Sequence, residues 1–535
     1  MGDRGKARIP TLKTVDSAGQ ARDFTTNEEK SVVFLKIFFP KRPDSDLIPA
    51  DPVYPCCVNY SFRPSMAQLR RCVARLSPYK APGEDDIPNV MIKESIELIA
   101  EYLLEIYCAT FTLNTYSDHW RDTIVLCKPG KPRYDLPKAH QPIALMNTLG
   151  KLLSALVAED LVHMCEIYGL LPDNHFGSRP SRCTTDMMHL LVHKIKVAWH
   201  QCNVVAILFL DVEGAFPNAV TAQLHNMHMR QVLEEYVCFI GHLLTDWRTR
   251  LKFDGFTLDW IDIDNGIVQG DPLSMVLYLF YNADLLMDMG KMETKVGYVD
   301  NVNFFVEGPT FEAAYAMLNN MMTCEGGSQE WSRNHNSKFK MLKLTLVGFS
   351  HRHTQDQACP GKTVAEPRPN FMLDGTTIKP TESHKFVGVA FDQKLCWRVQ
   401  AERVVAKATK WTLATRQLAR PAAGKSPWQM RQLYQAVAIP SLMYAADIWF
   451  TPVQRDGLGR SSSSAGVVCK LTTVQCMATM VVTGALFTTA TDMMEAHANL
   501  LPVELMMNRI CFRATLCLTA LPETHPLFKP VKQSS

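Results

Sequence analysis

The sequence predicts an α+β protein built as several lobes, with helices towards both ends of the chain and strands through its middle. Three observations carry that expectation. The chain has 535 residues, more than one compact core organises, and 47% hydrophobic content is enough for two or three cores. Apolar residues recur at helical spacing after residue 65 and through the C-terminal third, whereas "VVAILFLD" and "VGYVDNVNFFV" are apolar runs of strand length.

In chain order, residues 1–60 read as a loosely ordered lead-in with several prolines, ending in "PADPVYPCCVNY". "SMAQLRRCVARL" places Met66, Leu69, Val73 and Leu76 on one stripe behind Ser65 as a cap, and "NVMIKESIELIAEYLLEIYCATF" continues the helical period. Between them, "SPYKAPGEDDIPN" is too rich in Pro, Gly and Asp for either regular structure and is a loop. Residues 121–147 read as two short strands around a basic, proline-broken loop. "VVAILFLD" is expected to be a strand covered on both faces. "HRHTQDQACPGKTVAEPRPN" reads as an inserted loop, and "RDGLGRSSSSAG" as a flexible connector.

Lys+Arg 56 against Asp+Glu 53 leaves a net charge of +3, so no global field draws the chain to nucleic acid or membrane, and any basic surface is local. The 16 cysteines include the adjacent pair Cys56 and Cys57 but no C-x-x-C, which fits an intracellular, reduced compartment. The polar N-terminus has no apolar signal region. The longest apolar stretch, "PLSMVLYLFYNADLLMDM", carries Asn282 and Asp284 in its middle, so no membrane span and no membrane partner are expected.

Three stretches carry candidate chemistry. Asp211 closes a buried strand, a position where an aspartate as readily caps the next helix. Asp271 and Pro272 are typed as cap and first residue of a long buried helix, and Gly266, Gln269 and Gly270 ahead of them form a loop that a flat ligand could approach closely. Asp300 and Asn301 sit where a two-residue hairpin turn belongs. Taken together they are more specific. Phosphoryl transfer to a polymer end uses two divalent ions roughly 3.5–4 Å apart, and Mg²⁺ is a hard cation that takes oxygen ligands. One carboxylate at the end of a central strand and another in a neighbouring hairpin would meet at one sheet edge.

In this order the blocks "KAPGEDDIPNVMIK", "KPGKPRYDLPKAHQPIALMNTLGKLL", "HFGSRPSRCTTD", "FLDVEGAFPNAV", "GIVQGDPLS" and "GYVDNVNFFV" resemble the reverse transcriptase of non-LTR, LINE-type retrotransposons, from about residue 62 to 450. The resemblance implies a right-hand polymerase fold: residues 61–205 as fingers with part of the palm, 206–395 as palm with an antiparallel sheet, 396–455 as helical thumb, and 456–535 as a helical extension. It implies Asp211 and Asp300 as metal ligands, with the backbone carbonyl of Val212, for two Mg²⁺ ions that Mn²⁺ could replace. Phe216 would exclude a ribose 2′-hydroxyl, which disfavours an RNA-templated RNA polymerase, although by its position it could equally be a core aromatic. Gln269 and Gly270 would line the nucleotide. Lys128 and Lys131 would meet the triphosphate, and Lys343, or Lys338 in an alternative alignment, would face the pyrophosphate. "HKFVGVAFDQKLCW" resembles the hairpin that grips the primer end. The implied partners are an RNA template, a DNA primer and deoxynucleoside triphosphates; nuclear action fits, though no targeting signal is recognised.

The sequence also departs from the family pattern. Asn301 stands where the family has a second aspartate, and Gln141 where it has the arginine that grips the triphosphate. Asp86, Ser178 and Ser181 stand where it commonly has glycine. Two functions follow: an RNA-directed DNA polymerase with impaired activity, or an inactive polymerase-fold remnant that only binds nucleic acid. Only about 60 residues precede the fingers and no cysteine–histidine knuckle or ribonuclease H-like block is apparent after residue 450, so the expectation is a polymerase core cut from a longer polyprotein.

Overall fold

A computed structural model of the chain describes residues 9–15, 20–42, 52–61, 64–129, 133–220, 226–287, 290, 292–355, 361–419, 424–452, 454–455, 461–462 and 464–534. The described part of the N-terminal lead-in carries regular structure that its prolines do not suggest. Strands β1 (Leu12–Val15) and β2 (Ala21–Phe24) form an antiparallel hairpin, and helix α1 (Asn27–Phe38) follows, with Thr26 and Glu29 closing a capping box. Leu12, Phe34 and Phe38 are buried in a core with Val125, Trp247, Leu251 and Phe253. Those apolar side chains, set between the prolines, anchor the segment.

The predicted helices stand. Helix α2 (Met66–Arg75) is capped by Ser65 and Gln68, and α3 (Asn89–Thr112) follows the loop at 77–88. Strands β3 (Thr123–Pro129) and β4 (His140–Met146) pair antiparallel, as the proline-broken hairpin at 121–147 predicted. Next come α4 (Thr148–Tyr168), α5 (Thr184–His200) and β5 (Val204–Asp211). After α6 (Glu234–Leu244), strand β6 (Trp247–Phe253) lies parallel to β3, and β7 (Phe256–Thr257) and β8 (Ile261–Ile263) pair with β6 to complete a five-stranded sheet.

Past α7 (Ser274–Tyr281), strands β9 (Glu293–Tyr298), β10 (Asn301–Gly308) and β11 (Thr345–Phe349) join β5 in a second, antiparallel sheet of order β11-β5-β10-β9. β5 lies inside it, as a run apolar at every position requires. Its even-numbered residues Val204, Ala206, Leu208 and Leu210 belong to one core, together with Phe311 and Leu318 of α8 (Phe311–Thr323). Its odd-numbered residues Val205, Ile207 and Phe209 belong to a second core, with Leu191 and Ile195 of α5.

That second core continues into the C-terminal helices α9 (Arg398–Leu418), α10 (Ala465–Thr483) and α11 (Val503–Thr519), through Val404, Leu471 and Met507. The sheet and the helical third therefore share one interior. Helix α10 is long and apolar enough to cross a membrane by length and composition, although the sequence reading found no such span. Here Val468, Leu471, Val474 and Ala478 are buried against the protein, and Gln475 donates to Glu495 Oε1 at 2.6 Å and to the Leu501 carbonyl at 2.9 Å. The expected inserted loop at 351–370 contains a small hairpin, His353–Gln355 with Thr363–Ala365. In the expected connector, Arg455 pairs with Ser461 and Gln454 with Ser462. The segment "HKFVGVAFDQKLCW" is a hairpin, Ser383–Phe386 with Val389–Asp392.

Candidate active site

Two strand ends build the site. In the β5–β10 ladder Asp211 lies opposite Asn301, and the Val212 N–H donates to the Asp300 carbonyl at 3.5 Å, so both carboxylates reach the same edge of the sheet. Asp211 caps no helix: the residues after it form turns, and its Oδ2 accepts from Lys343 Nζ at 3.0 Å and from Lys340 Nζ at 3.1 Å. Burial alone would raise the Asp211 carboxyl. The hydrogen bonds and charges of Lys343 and Lys340 outweigh that and hold it below the ordinary value. Asp300 moves the other way, raised by burial and by the Asp211 charge against the donors of its own backbone and of Asn301.

The hairpin turn is displaced by one residue from its predicted place. Tyr298 pairs with Asn301, which leaves Val299 and Asp300 as the two turn residues, and Asn301 begins β10. Val299 takes the positive φ, +56°, which a β-branched residue rarely adopts. It is held there from two sides. Asn282 Nδ2 donates to the Val299 carbonyl at 2.7 Å, and Gly177 packs beneath so closely that a Cβ would lie 2.6 Å from Val299 Cγ2. Asn301 is exposed, and its Nδ2 donates to Asp300 Oδ1 at 3.0 Å.

The loop before α7 is held by backbone as well. Gly266 (φ +90°) lies on Pro217 and Gly270 (φ +130°) on Ala144, where a Cβ would meet their carbonyl oxygens at 2.9 and 2.7 Å. Both glycines are required by close contact with the chain's own backbone. The Ala144 N–H donates to the Gln269 carbonyl at 2.9 Å, and the Ile267 N–H to that of Phe216 at 2.9 Å. Phe216 is half-buried, its ring 5.2 Å from that of Tyr278. The helix is shorter than expected and starts later. Leu273 is the N-cap, so Asp271 and Pro272 precede the helix instead of capping and opening it; Asp271 is fully buried, its Oδ1 accepts from the Leu273 N–H at 2.8 Å in the preceding turn, and burial pushes its carboxyl up to about 6.

Gln141 is exposed on β4, in register with Lys128 on β3, of which the backbone alone is described; Lys131 lies outside the described residues. Lys138 from the loop between these strands meets Glu213, two residues past Asp211, at 3.0 Å. Of the two lysines expected near the pyrophosphate, Lys343 reaches Asp211. Lys338 offers its carbonyl to the Glu213 N–H. Lys340 was missed by the sequence reading. It reaches the site because Val212 pairs with Phe339, a single bridge; the sequence signal for it was the lysine-rich run "SKFKMLK" ahead of β11.

The donors suit a hard divalent cation: two carboxylates and the Val212 carbonyl, which accepts no hydrogen bond among the described residues. Among those residues no group of three or more His, Cys, Asp or Glu is gathered to hold a metal. Paired carboxylates on an antiparallel sheet edge, with lysines against them and a glycine-shaped loop nearby, define the class as a nucleic-acid polymerase domain, and residues 128–391 match the family described as reverse transcriptase (RNA-dependent DNA polymerase).

This part of the chain belongs to that family. Its similarity extends to proteins of non-LTR retrotransposons in Drosophila melanogaster. It is 23% identical over 413 residues to a probable RNA-directed DNA polymerase from transposon X-element, covering 75% of this chain and 42% of the relative. It is 22% identical over 399 residues to the RNA-directed DNA polymerase from mobile element jockey, covering 72% and 41%. A putative 115 kDa protein in the type-1 retrotransposable element R1DM is 21% identical over 452 residues, covering 81% and 40%. The chain thus spans about two fifths of the length of the relatives it matches.

Proposed function

We propose that the protein is an RNA-directed DNA polymerase that adds deoxynucleotides to a DNA primer 3′-hydroxyl along an RNA template. The observation that carries this is the β5–β10 register, which brings Asp211 and Asp300 to one sheet edge. On this reading Asp211, Asp300 and the Val212 carbonyl hold two Mg²⁺ ions, or Mn²⁺ in their place. Bound there, the ions would activate the primer hydroxyl and stabilise the charge of the transferring phosphate.

The remaining roles belong to the chain. Lys343 is placed to give a proton or a charge to the departing pyrophosphate. Phe216, rigid against Tyr278, fills the space of a ribose 2′-hydroxyl. Gln269 and Gly270 would line the nucleotide; Lys128 and Lys131 are assigned to its triphosphate by the family resemblance alone, with Gln141 at the position of the family's phosphate-gripping arginine. The division into an N-terminal lead-in (1–60), fingers (61–205), palm (206–395), thumb (396–455) and helical extension (456–535) follows the same reading. So does action in a reducing intracellular compartment, with the nucleus as the place where a DNA primer is found.

A second reading, a polymerase fold that binds nucleic acid without turnover, is favoured by Asn301, which gives Asp300 a hydrogen-bond donor where a third carboxylate would add charge. Primer extension on RNA with Mg²⁺ or Mn²⁺ separates the two. Extension by the unaltered protein that Asp211→Ala abolishes supports the enzyme. Extension only by Asn301→Asp, Gln141→Arg or the double variant supports a relic disabled at those positions.

A further inference from the structure

Three nitrogen donors crowd the two carboxylates. Lys340 and Lys343 share Asp211 Oδ2 at 3.1 and 3.0 Å, and Asn301 Nδ2 sits on Asp300 Oδ1 at 3.0 Å. With Glu213 and its partner Lys138 beside them, three carboxylates face three ammonium groups, and the cluster is electrically balanced by the protein's own residues. The lysines differ in freedom: the Lys340 side chain is 24% exposed and that of Lys343 51%. Lys340 is tied further by its backbone N–H, which donates to the Asp211 carbonyl at 3.2 Å, so its side chain leaves from a point fixed beside the carboxylate.

We infer that Lys340 and Lys343 act as an internal counter-cation that competes with divalent metal for Asp211 Oδ2, making metal entry an exchange of ammonium for metal. One oxygen with two ammonium groups within hydrogen-bond distance has few lone-pair directions left for a dication, which would also be repelled by both charges. Metal binding is therefore weaker than the carboxylates alone would give, by the strength of the contacts that must break. The displaced ammonium groups become free to meet an anion beside the metal, so by linkage an anion that takes them strengthens metal binding equally. This rests on the polymerase reading of Asp211 and Asp300 as metal ligands. It assigns Lys340 a positioning role towards the metal, separate from proton transfer by Lys343.

The test is Mn²⁺ binding to the full chain, followed by titration calorimetry, for the unaltered protein and for Lys340→Gln, Lys343→Gln, Lys338→Gln and Asp211→Asn. Lys338 is exposed on the same segment, with its side chain off Asp211, so its variant removes an equal charge without releasing the carboxylate. The expected result is Mn²⁺ binding roughly two- to fivefold tighter in Lys340→Gln and in Lys343→Gln than in Lys338→Gln, the range that partly exposed ion pairs allow. Acetylation mapped by mass spectrometry gives a second readout on the unaltered protein, with Lys340 and Lys343 reacting faster once Mn²⁺ is added. If Mn²⁺ binds through Asp211 but neither variant tightens it beyond Lys338→Gln and the labelling is unchanged, the exchange is overturned and the polymerase reading stands. Mn²⁺ binding that survives Asp211→Asn unchanged overturns the metal site itself, and the exchange with it.

Discussion

Asp211 faces Asn301 directly across the β5–β10 ladder, the carboxylate at the end of one inner strand and the exposed amide at the start of the other. Restoring an acid at the amide changes two balances at once. Asn301→Asp adds a hard oxygen donor beside Asp300 and removes the N–H that Asp300 Oδ1 accepts. The variant is expected to extend primers about tenfold faster, since one added charge–metal contact is worth about 1.4 kcal/mol or more at a partly buried site. In chelator, like charges across the ladder lower its stability by about 0.5–1 kcal/mol. Melting with and without Mn²⁺ checks the second half: the deficit closes when the ion is added. A variant equally stable in both conditions sinks the assignment.

The turn that presents Asp300 depends on a residue 122 positions earlier in the chain. Gly177 takes no positive φ, so its backbone admits any side chain, and only space demands glycine. A Cβ there would lie 2.6 Å from Val299 Cγ2 and 2.7 Å from the Val299 N. Because one of those atoms is backbone, the turn itself must shift. Gly177→Ala is expected to cost about 1–3 kcal/mol of stability and to reduce primer extension further than its melting shift explains, because Asp300 moves with Val299. Full activity in Gly177→Ala would show that the turn tolerates the displacement.

How far the sequence disclosed this site follows from the range over which each signal acts. β5 was legible because eight residues apolar up to a terminal Asp permit little except a buried strand. The capping of α2 was legible because Ser65 and Gln68 lie within one turn. Asp211 and Asp300 were legible as a strand-end and a hairpin carboxylate that would meet, which the register bears out; their role as metal ligands came from the family pattern alone. Lys340 was legible only as one lysine of the run "SKFKMLK", since the Val212–Phe339 bridge that singles it out joins segments far apart in sequence. The turn was misplaced by one residue because Asp and Asn are ordinarily the residues that tolerate a positive φ, and here tertiary contacts force Val299 into it. The N-terminal segment was read as loose because prolines are local signals and burial of Phe34 and Phe38 is not.

The glycine-to-side-chain departures were legible, and the structure gives their consequence. Asp86, Ser178 and Ser181 all take positive φ, at +51°, +52° and +57°, and all three are exposed. The backbone conformation has been kept while the residue suited to it has not. A left-handed conformation costs a side chain about 1–2 kcal/mol, of which the extra freedom of an unfolded glycine returns about 0.5–1. Ser178→Gly and Ser181→Gly are therefore each expected to stabilise the protein by up to about 1 kcal/mol, with Asp86→Gly gaining less because Asp tolerates this region better. Thermal melting of the three single variants checks the order, and a destabilised Ser178→Gly would show that its hydroxyl matters more than its backbone.

Asp271 makes the stability of this region pH-dependent. Its carboxyl is fully buried, accepts from the Leu273 N–H and from Ser154 Oγ at 3.3 Å, and is raised from 3.8 to about 6 by burial. A raised carboxyl means that between those two values the folded state holds a proton that the unfolded state has lost. Stability is then greatest below pH 3.8, falls as pH rises through the window, and is level above about 6. The loss across the window is on the order of 3 kcal/mol. Asp271→Asn keeps an oxygen for Leu273 and an amide for Ser154 while removing the titration. The variant is expected to match the unaltered protein near pH 4 and to exceed its stability above pH 6.5, where denaturation of the two should differ most. Parallel curves at both ends of the range would mean that Asp271 carries its charge into the fold without cost, and that the hydrogen bonds from Leu273 and Ser154 outweigh its burial.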